Sequence, residues 1–493
     1  MTGDAWQLAE LDGLGQADLV RRGEVSAAEL TAAALARVAD VNAAMNAVVL
    51  PIDDIDEQLA ALAADAEQPF AGVPTLLKDL GAEYRGSPQT DGSRFVRGFI
   101  GTEDSTVVTR MKAAGMIFVG RSGSSEFGAE SETTRFGPTN NPWDLARSTG
   151  GSSAGAGAAV ASRLVPIAHA TDTGGSIRGP AARCGVFGLK PTRGRNPLGP
   201  ERSDTCAGLG VSHVLTWSVR DSAAVLDAIS GPEPGSFSVP PAARGSFLDA
   251  VSQDPARLRI GVCLQSPDEQ SVDPECQAAV RRTAELCEQL GHLVEEATPS
   301  YDGHALVRAF DGLICDLTAA RAHAWASALD RPLGMDDFTP AVRLLIERGQ
   351  QRTALDHHRS VTQLQRSARE VAAFFADYDM FLTPTTPTPA IPHPAPPDER
   401  NVAQYWDSEV GKGTFMLLAN VTGQPAMSVP LQLSSGGLPI GSHFLARFGQ
   451  EETLLQLAGQ LERSHPWKEV WPRLDRQSHS PLTDIDTEEG HGT

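Results

Sequence analysis

The chain has 493 residues, of which 41% are hydrophobic, so it can bury a large core, and its length alone suggests roughly two to four domains. Its 62 acidic and 41 basic residues give a formal charge of −21, and it lacks the Lys/Arg-rich run that nucleic-acid binding would need. We find no stretch of the ~18 apolar residues that span a membrane and no secretory signal. Six cysteines without a CxxC pair predict reduced thiols, no metal site and a cytoplasmic location.

The first half of the chain predicts helices that alternate with short strands. Ser26 and Glu29 form a capping box, and apolar residues recur at helical spacing over residues 30–41. An alanine-rich helix then leads into an apolar strand at residues 117–120. A second apolar run, residues 164–170, predicts the strand that enters a glycine-rich block.

A strand–helix–strand pattern follows over residues 258–294. The run LRIGVCL predicts a strand, and Asp273 and Pro274 predict the cap and the first position of a helix. That helix ends at Gly291, and Leu293 begins the next strand. Because the pattern recurs along the chain, we predict an α/β fold with a partly parallel sheet.

The last quarter predicts one more strand and one more helix. Residues 380–398 begin as a strand and continue as a proline-rich loop or extended segment. Apolar residues from Leu454 to Leu461 predict an amphipathic helix that ends near Pro466. Because the composition then turns polar and acidic, we predict a disordered acidic C-terminal tail over residues 475–493.

Two glycine- and serine-rich blocks lie close together, STGGSSAGAGAAV at residues 148–160 and TDTGGSIRGP at residues 171–180. The first contains G-x-S-x-G, the nucleophile elbow of an α/β-hydrolase, which would make Ser153 the nucleophile. That motif follows a strand, whereas the residues before this one are polar and interrupted by Pro142. A phosphate-binding loop is a second alternative, but neither the P-loop nor the complete dinucleotide-binding motif is present.

The third alternative combines both blocks with a lysine. Glycines let successive N–H groups at residues 173–176 converge on one point, where they would stabilise an oxyanion next to Ser176. The serine would need a base. His169 lies in an apolar strand and is better explained as a core residue, whereas burial of Lys78 in GVPTLLKDL would lower its pKa. A structural ion pair between Lys78 and Asp79 is an equally good explanation at this point.

Together these segments resemble the amidase signature family. The segments GVPTLLKD, NPWDLARSTGGSSAGAGAAVA, TDTGGSIRGPAARCGVFGLKPT and NVTGQPAMSVP occur in the family's order and approximate spacing, within about residues 10–470. The resemblance implies an α/β/α fold around a large mixed, mostly parallel, twisted sheet, which we expect to form one amidase domain over residues 1–474. It also implies an amide hydrolase that works through an acyl-serine intermediate, without cofactor or metal.

The same resemblance assigns the site residues. Lys78, Ser152 and Ser176 match the base, the bridging serine and the nucleophile of a Ser–Ser–Lys set, and the peptide bond before the bridging serine is cis in the family. Four residues match the amides of the oxyanion hole: Thr173, Gly174, Gly175 and Ser176. Three match residues that hold the loops by hydrogen bonds: Ser153, Asp172 and Arg178. Departures from the usual motifs at Thr173, Arg183 and in GRSGSSEFG leave the three catalytic positions intact.

The substrate is less well specified. NPWDLARS, GLKPTRGR and ICD followed by AR most resemble members of the family that hydrolyse cyclic amide oligomers, which implies a compact, largely neutral amide pocket. In that comparison Cys315 lies near the substrate, and the alternative is a small buried core thiol. We therefore expect a small neutral carboxamide as the partner, such as a cyclic or linear amide oligomer, an anilide or a carbamate. We expect no nucleic acid and no membrane, and a homodimer stays open.

Two rival explanations remain. A subunit of a tRNA-dependent amidotransferase shares these motifs, but it hydrolyses glutamine, delivers ammonia to a partner, and needs a tRNA-binding companion and a glutamine-binding arginine. An inactive scaffold would not be expected to keep Lys78, Ser152 and Ser176 together. Turnover of simple amides by the isolated chain distinguishes the first rival from a free-standing amidase.

Overall fold

The computed structural model describes residues 2–62, 68–130, 135–266, 268–395, 397–411 and 413–472, so the tail predicted at residues 475–493 lies outside the described residues. The strands in the described part are β1 Val48–Leu50, β2 Pro74–Lys78, β3 Ile117–Ser122, β4 Asn140–Asn141, β5 Asp144–Ser148, β6 Ile167–Asp172, β7 Phe187–Lys190, β8 Val211–Thr216, β9 Arg259–Val262, β10 Leu293–Glu296, β11 Met380–Pro384, β12 Ala426–Leu433 and β13 Pro439–Ala446.

The α-helices in the same part are α1 Thr2–Leu8, α2 Gly13–Arg21, α3 Ala27–Met45, α4 Ile55–Ala61, α5 Thr106–Ala113, α6 Ala154–Ala161, α7 Arg178–Cys184, α8 Val219–Ile229, α9 Phe247–Val251, α10 Pro274–Gln289, α11 Gly303–Ala328, α12 Pro340–Gln351, α13 Ala354–Phe374, α14 Val402–Gly411, α15 Thr414–Thr422 and α16 Glu451–Ser464. Short 3₁₀ helices lie at Glu126–Gly128 and Met335–Asp337.

One 11-stranded sheet organises the molecule. Its strand order is β1-β3-β2-β6-β8-β7-β12-β13-β11-β9-β10, and β4 and β5 form a separate two-stranded ribbon. Parallel pairing joins β3, β2 and β6 on one side and β11, β9 and β10 on the other, whereas the strands between them pair antiparallel. This mixed α/β architecture confirms the predicted fold class.

Helices cover both faces of the sheet, and the alternation of side chains along the strands shows it. Successive residues of a strand point to opposite faces. In β2, Leu76 belongs to a core cluster with α3, α6 and α7, whereas Leu77 belongs to a cluster with α5 and α8. In β11, Leu382 packs with α8, α10 and α16, whereas Phe381 packs with α11, α13 and α15. The arrangement is therefore three layers, helix–sheet–helix.

Several elements follow the sequence closely. The capping box of Ser26 and Glu29 begins α3, and Asp273 caps α10 ahead of Pro274. The strand predicted at residues 117–120 extends two residues further in β3, and the run at residues 258–264 contributes only its centre to β9. Among the described helices, none has the length and apolar character to cross a membrane.

The sheet also places the functional segments. Strands β2 and β6 are parallel neighbours, so their carboxyl ends lie at the same edge of the sheet. Lys78 is the last residue of β2, and Asp172 is the last residue of β6. The lysine of GVPTLLKD and the glycine-rich turn of TDTGGS therefore meet, although about 90 residues separate them in sequence.

Candidate active site

Lys78 is fully buried at the end of β2. Its Nζ lies 2.7 Å from Ser152 Oγ and 2.9 Å from Thr171 Oγ1, both at hydrogen-bond distance. Burial lowers the pKa of the ammonium to about 7; nearby Arg321 lowers it further, and Asp172 opposes the shift. At neutral pH a large fraction of Lys78 is therefore an uncharged amine in contact with a serine hydroxyl.

Asp79 does not pair with Lys78. Because it is the next residue along the chain, its side chain turns away, and its carboxylate accepts the N–H of Thr90 at 2.8 Å and contacts the Thr90 hydroxyl. Burial raises the pKa of Asp79 to about 6, and Arg121 opposes that rise. The structural ion pair considered for Lys78 is therefore wrong, because no salt bridge joins the two residues, both of which lie in the described part of the chain.

The two serines of the first block have different surroundings. The peptide bond between Gly151 and Ser152 is cis, and Ser152 borders a large cavity. Ser153 is completely buried ahead of α6, and its Oγ donates to the carbonyl of Thr171 at 3.3 Å. Ser153 thus joins the two blocks by a hydrogen bond, and it lacks the exposed hydroxyl that a nucleophile elbow requires.

The turn after β6 presents backbone N–H groups to the cavity. Thr173, Gly174 and Ser176 line the cavity, and within the described chain their N–H groups make no hydrogen bond. The Gly175 N–H, in contrast, donates to Asp172 Oδ1 at 2.8 Å. The prediction that Gly175 supplies an oxyanion-hole amide is therefore wrong in this structure, and three of the four predicted donors are free to bind an anion.

Glycine is required at two positions of this turn. Gly175 has a φ of 126°, and a Cβ there would lie 2.6 Å from the Met416 side chain. A Cβ at Gly174 would lie 2.7 Å from Phe310 Cζ. Any larger residue would displace the side chains that press the turn into place.

A buried network of an ion pair and hydrogen bonds also holds this turn in place. Asp172 accepts Nε and Nη2 of Arg178 at 3.0 and 2.9 Å, and also the Ile177 N–H at 3.1 Å. Burial alone would raise the pKa of Asp172, but the Arg178 guanidinium holds it well below its usual range. Asn420 of α15 completes the network: it donates to Asp172 Oδ1 at 2.8 Å and accepts from Arg178 at 2.6 Å.

The cavity has a volume of about 860 Å³ and brings the predicted residues together. Ser152 and Ser176 both border it, and Ser176 is only partly buried. In the described part of the chain, no hydrogen bond joins the hydroxyls of these two serines. The structure therefore shows a direct contact between Lys78 and Ser152, and Ser176 lines the same cavity as Ser152.

One face of α11 forms a long wall of this cavity. Its lining residues follow helical spacing: Phe310, Ile314, Leu317, Thr318, Arg321, Ala324, Trp325 and Ala328. Cys315 lies one position beyond this face, buried in a cluster with Ile314, Leu345 and Trp406. Its surroundings match the buried-thiol alternative, and a role for Cys315 in substrate contact stays a prediction.

His169 has the surroundings of a core residue. It is fully buried; its Nδ1 accepts the Lys78 backbone N–H at 3.4 Å, and its Nε2 lies 2.8 Å from Ser212 Oγ. Burial lowers its pKa to about 3, so it stays neutral. No group of three or more metal-binding side chains occurs in the described segments.

Sequence reasoning missed three residues of this site. Thr171 is the first residue of the TDTGGS block, and Asn420 is the first residue of NVTGQP. Both therefore lie in recognised motifs, but the sequence did not indicate what either side chain contacts. Arg321 is the arginine of the segment ICD followed by AR, where it was given no role, and the signal that could have found one is the helical spacing of the cavity-lining face of α11.

Comparisons with known proteins agree with this geometry. The amidase family profile matches residues 29–455. A 6-aminohexanoate-cyclic-dimer hydrolase of Paenarthrobacter ureafaciens is 39% identical, over 96% of this chain and 97% of that protein. The structure of a 6-aminohexanoate cyclic dimer hydrolase superposes with a TM-score of 0.89 at 36% identity, covering 94% of this chain and 99% of the other.

Two further proteins bear on the rival explanations. A bacterial aryl acylamidase of the amidase signature family superposes with a TM-score of 0.84 at 26% identity, covering 96% of this chain and 99% of that chain. One of the subunits of the glutamyl-tRNA(Gln) amidotransferase of Synechococcus sp. (strain CC9311) is 33% identical, over 90% of this chain and 94% of that protein. The 39% identity to the cyclic-dimer hydrolase exceeds the 33% identity to the amidotransferase subunit. This difference favours hydrolysis over amidotransfer.

Proposed function

Because the chain belongs to the amidase family and is an amide hydrolase, we propose that Ser176 is its nucleophile, that Ser152 relays the proton and that Lys78 is the general base. The observation that carries this assignment is the 2.7 Å contact between Lys78 Nζ and Ser152 Oγ, at a cavity that Ser176 also lines. An uncharged amine at this distance accepts the serine proton directly.

In the first step, Lys78 takes the proton of Ser152 while Ser152 takes the proton of Ser176. The Ser176 oxygen then attacks the carbonyl carbon of a bound amide, and negative charge develops on the carbonyl oxygen. The free N–H groups of Thr173, Gly174 and Ser176 receive that charge. Each such donor typically stabilises a transition state by ~3–4 kcal/mol.

In the second step, the relay runs in reverse. The protonated Lys78 returns its proton through Ser152 to the leaving nitrogen, because an amine departs only when it is protonated. The acyl group stays on Ser176. Water, deprotonated through the same relay, then attacks the acyl-serine, releases the carboxylic acid and restores the serine hydroxyl.

For the substrate, we propose a small amide with an alkyl or aryl body. The similar proteins include a 6-aminohexanoate-cyclic-dimer hydrolase and an aryl acylamidase. A cavity of about 860 Å³ with apolar walls such as Phe310, Ile314 and Trp325 accepts bodies of this kind. The proposal needs no nucleic acid and no membrane, and a cytoplasmic location stays our expectation.

The test traps the acyl-enzyme. A panel of amides, anilides, carbamates and lactams is incubated with the chain, and intact-mass spectrometry of the quenched protein reports the acyl adduct. We expect an adduct on Ser176, and no turnover by Ser176→Ala. Ser162→Ala is a matched control, because Ser162 is a buried serine that donates to Ala158 O in α6. Near-normal turnover by Ser176→Ala would refute the assignment.

Assay of the isolated chain separates hydrolysis from amidotransfer. We expect release of amine from simple amides without tRNA, ATP or any companion protein. Activity confined to glutamine would instead support the amidotransferase reading.

A further inference from the structure

We propose that Arg321 binds a carboxylate of the substrate at a fixed distance from the scissile amide, so that the preferred substrates are amides with an apolar body and a free carboxylate. This inference rests on the proposed amide hydrolysis and names its substrate class. It departs from the expectation of a largely neutral substrate, because the cleaved amide is neutral but the molecule as a whole is an anion.

Arg321 has unused hydrogen-bonding capacity in the cavity wall. Its Nη1 donates to the Phe127 carbonyl at 2.7 Å, which fixes one side of the guanidinium. Both residues line the cavity, and Arg321 is partly buried there. Within the described residues, its Nε and Nη2 make no hydrogen bond, and the side chain forms no salt bridge. In a residue that lines the cavity, these N–H groups are therefore available to donate to a bound ligand.

The nearest acid does not satisfy this cation. Asp91 also lines the cavity, but its Oδ1 accepts from Gln89 Nε2 at 2.8 Å and its Oδ2 accepts from Trp325 Nε1 at 2.8 Å. Its charge opposes the fall in the pKa of Arg321 that burial causes, while Arg202 lowers that pKa further. The Arg321 guanidinium is partly buried, it has one N–H bound to the Phe127 carbonyl, and Asp91 already accepts from Gln89 and Trp325. Such a guanidinium gains most from a ligand carboxylate, which accepts two of its N–H groups at once.

Helix α11 sets the distance between this cation and the reacting carbonyl. Phe310, near its start, packs against Gly174 of the anion-binding turn. Arg321 follows eleven residues later on the same face, about 16 Å along the helix axis at 1.5 Å per residue. Because side chains lean toward the helix N-terminus, the guanidinium lies nearer to the turn than its Cα does. The substrate carboxylate therefore lies several bonds away from the scissile amide.

The wall between these two points is mainly apolar. Ile314 and Leu317 lie between Phe310 and Arg321 on the cavity face of α11, together with the polar Thr318. Phe127, whose carbonyl accepts from the guanidinium, also lines the cavity. Such a surface favours methylene or aryl groups between the amide and the carboxylate. The combination describes ω-carboxyalkyl or carboxyaryl amides.

Matched substrate series test the proposal. On the acyl side, monoamides of straight-chain dicarboxylic acids with four to ten carbons are compared with the corresponding diamides. On the amine side, N-acetyl-ω-amino acids are compared with their carboxamides. We expect the acid to be preferred by kcat/KM at one or two chain lengths in one of the two series, and the preferred length reports the distance to Arg321.

The variants Arg321→Gln and Arg321→Lys locate the preference. We expect Arg321→Gln to lower the acid-to-amide ratio of kcat/KM by about 10- to 100-fold, the size of a lost charge-assisted interaction. Arg321→Lys keeps the charge but loses the planar guanidinium, so its acid-to-amide ratio should lie between those of the unmodified chain and Arg321→Gln. Because the charge of Arg321 also lowers the pKa of Lys78, the assays are run at pH 9, where Lys78 is largely uncharged in every variant. In addition, the acid-to-amide ratio of kcat/KM cancels any change that affects both substrates equally.

A surface arginine provides the control. Arg97→Gln removes the same charge from an exposed pair with Asp337, and its acid-to-amide ratio should match that of the unmodified chain. Calorimetric titration with hexanoate gives a readout without turnover: we expect binding that weakens at least tenfold in Arg321→Gln.

The outcomes separate the two proposals. If no amide is hydrolysed but hexanoate binding depends on Arg321, then the proposed chemistry fails and the carboxylate site stands. Amide turnover with equal acid-to-amide ratios in the unmodified chain and Arg321→Gln at every chain length, in both series, would overturn the carboxylate site and leave the chemistry intact.

Discussion

At the scale of single residues, the proposed base depends on the environment that β2 and its neighbours create. A lysine in water is a cation at neutral pH, and a cation cannot accept the proton of Ser152. Burial shifts Lys78 toward the neutral form, and nearby Arg321 acts in the same direction. The sequence indicated this residue through its apolar neighbours, but Thr171, its second contact, comes from another strand and only the fold reveals it.

The pH dependence follows from this shift. Below the pKa of about 7 the amine is protonated and the relay is blocked; above that pH it is free. With a neutral diamide as substrate, we expect kcat/KM to fall tenfold per pH unit below about 7 and to reach a plateau above it. A profile that stays flat from pH 5 to pH 9 would contradict Lys78 as the base.

Thr171 offers a second test at this scale. Thr171→Val removes the hydroxyl that contacts Lys78 Nζ at 2.9 Å and keeps the shape of the side chain. We expect kcat to fall about tenfold with little change in KM, because one hydrogen bond that orients the amine is lost. Steady-state kinetics at pH 8 measures both parameters, and an unchanged kcat would remove Thr171 from the site.

At the scale of elements, the site is held by packing and hydrogen bonds between segments far apart in sequence. Local motifs indicated Lys78 and the glycine-rich turn that follows the strand predicted at residues 164–170, because their residue patterns are local. The role of α15 was not predictable, because Asn420 acts by contact with Asp172 and Arg178, about 240 residues away. The hydrogen bond from the Gly175 N–H to Asp172 was also not predictable, because the conformation of the turn determines which of its N–H groups face Asp172.

Asn420→Ala tests the support of the turn from α15. It leaves buried polar atoms of Asp172 and Arg178 without a partner, at an expected cost of ~1–3 kcal/mol in the free energy of unfolding. We expect a lower Tm and a fall in kcat at least as large as that of Thr171→Val. Gln289→Ala, at the exposed last position of α10, is the control and should change neither quantity. A variant with native Tm and native kcat would show that the turn holds without Asn420.

The contact of α11 with α12 offers a further test. A Cβ on Gly349 would lie 2.3 Å from the Cys315 carbonyl oxygen and 2.7 Å from Ala319 Cβ, so the two helices touch backbone to backbone. Although alanine favours helix formation, Gly349→Ala should destabilise the protein by ~1–3 kcal/mol and raise KM as α11 shifts. Gly245→Ala, in open space, should stay within ~0.5 kcal/mol. Thermal unfolding of both variants measures the difference, and equal Tm values would contradict this packing.

At the scale of the whole molecule, the sheet and its two helical layers were predictable as a class, because strand–helix–strand patterns and the amidase motifs cover most of the chain. The order of the strands was not, since the centre of the sheet pairs strands from distant parts of the sequence, such as β7 with β12. The cavity likewise depends on the placement of α11, and the segment ICD followed by AR within it did not indicate which face of the helix lines the cavity.

Activity of the whole molecule should not depend on metal. The proposed chemistry is complete with an amine, two hydroxyls and backbone N–H groups. We therefore expect undiminished amide turnover after dialysis against excess chelator, measured by amine release from the best substrate of the panel. A loss that added divalent metal restores would contradict the proposed mechanism.

The partners of Arg178 have a consequence for biosynthesis. Besides its pair with Asp172, its guanidinium is held by the Met416 carbonyl, by Asn420 and by His443. These three come from the last fifth of the sequence, whereas the serines and the lysine lie in the first two fifths. A polypeptide still emerging from the ribosome already carries the three groups proposed to react, yet it lacks the residues that hold Arg178 beside the turn at Ser176. Hydrolytic competence therefore arises late in translation, once residue 443 has been released and β13 has joined the sheet.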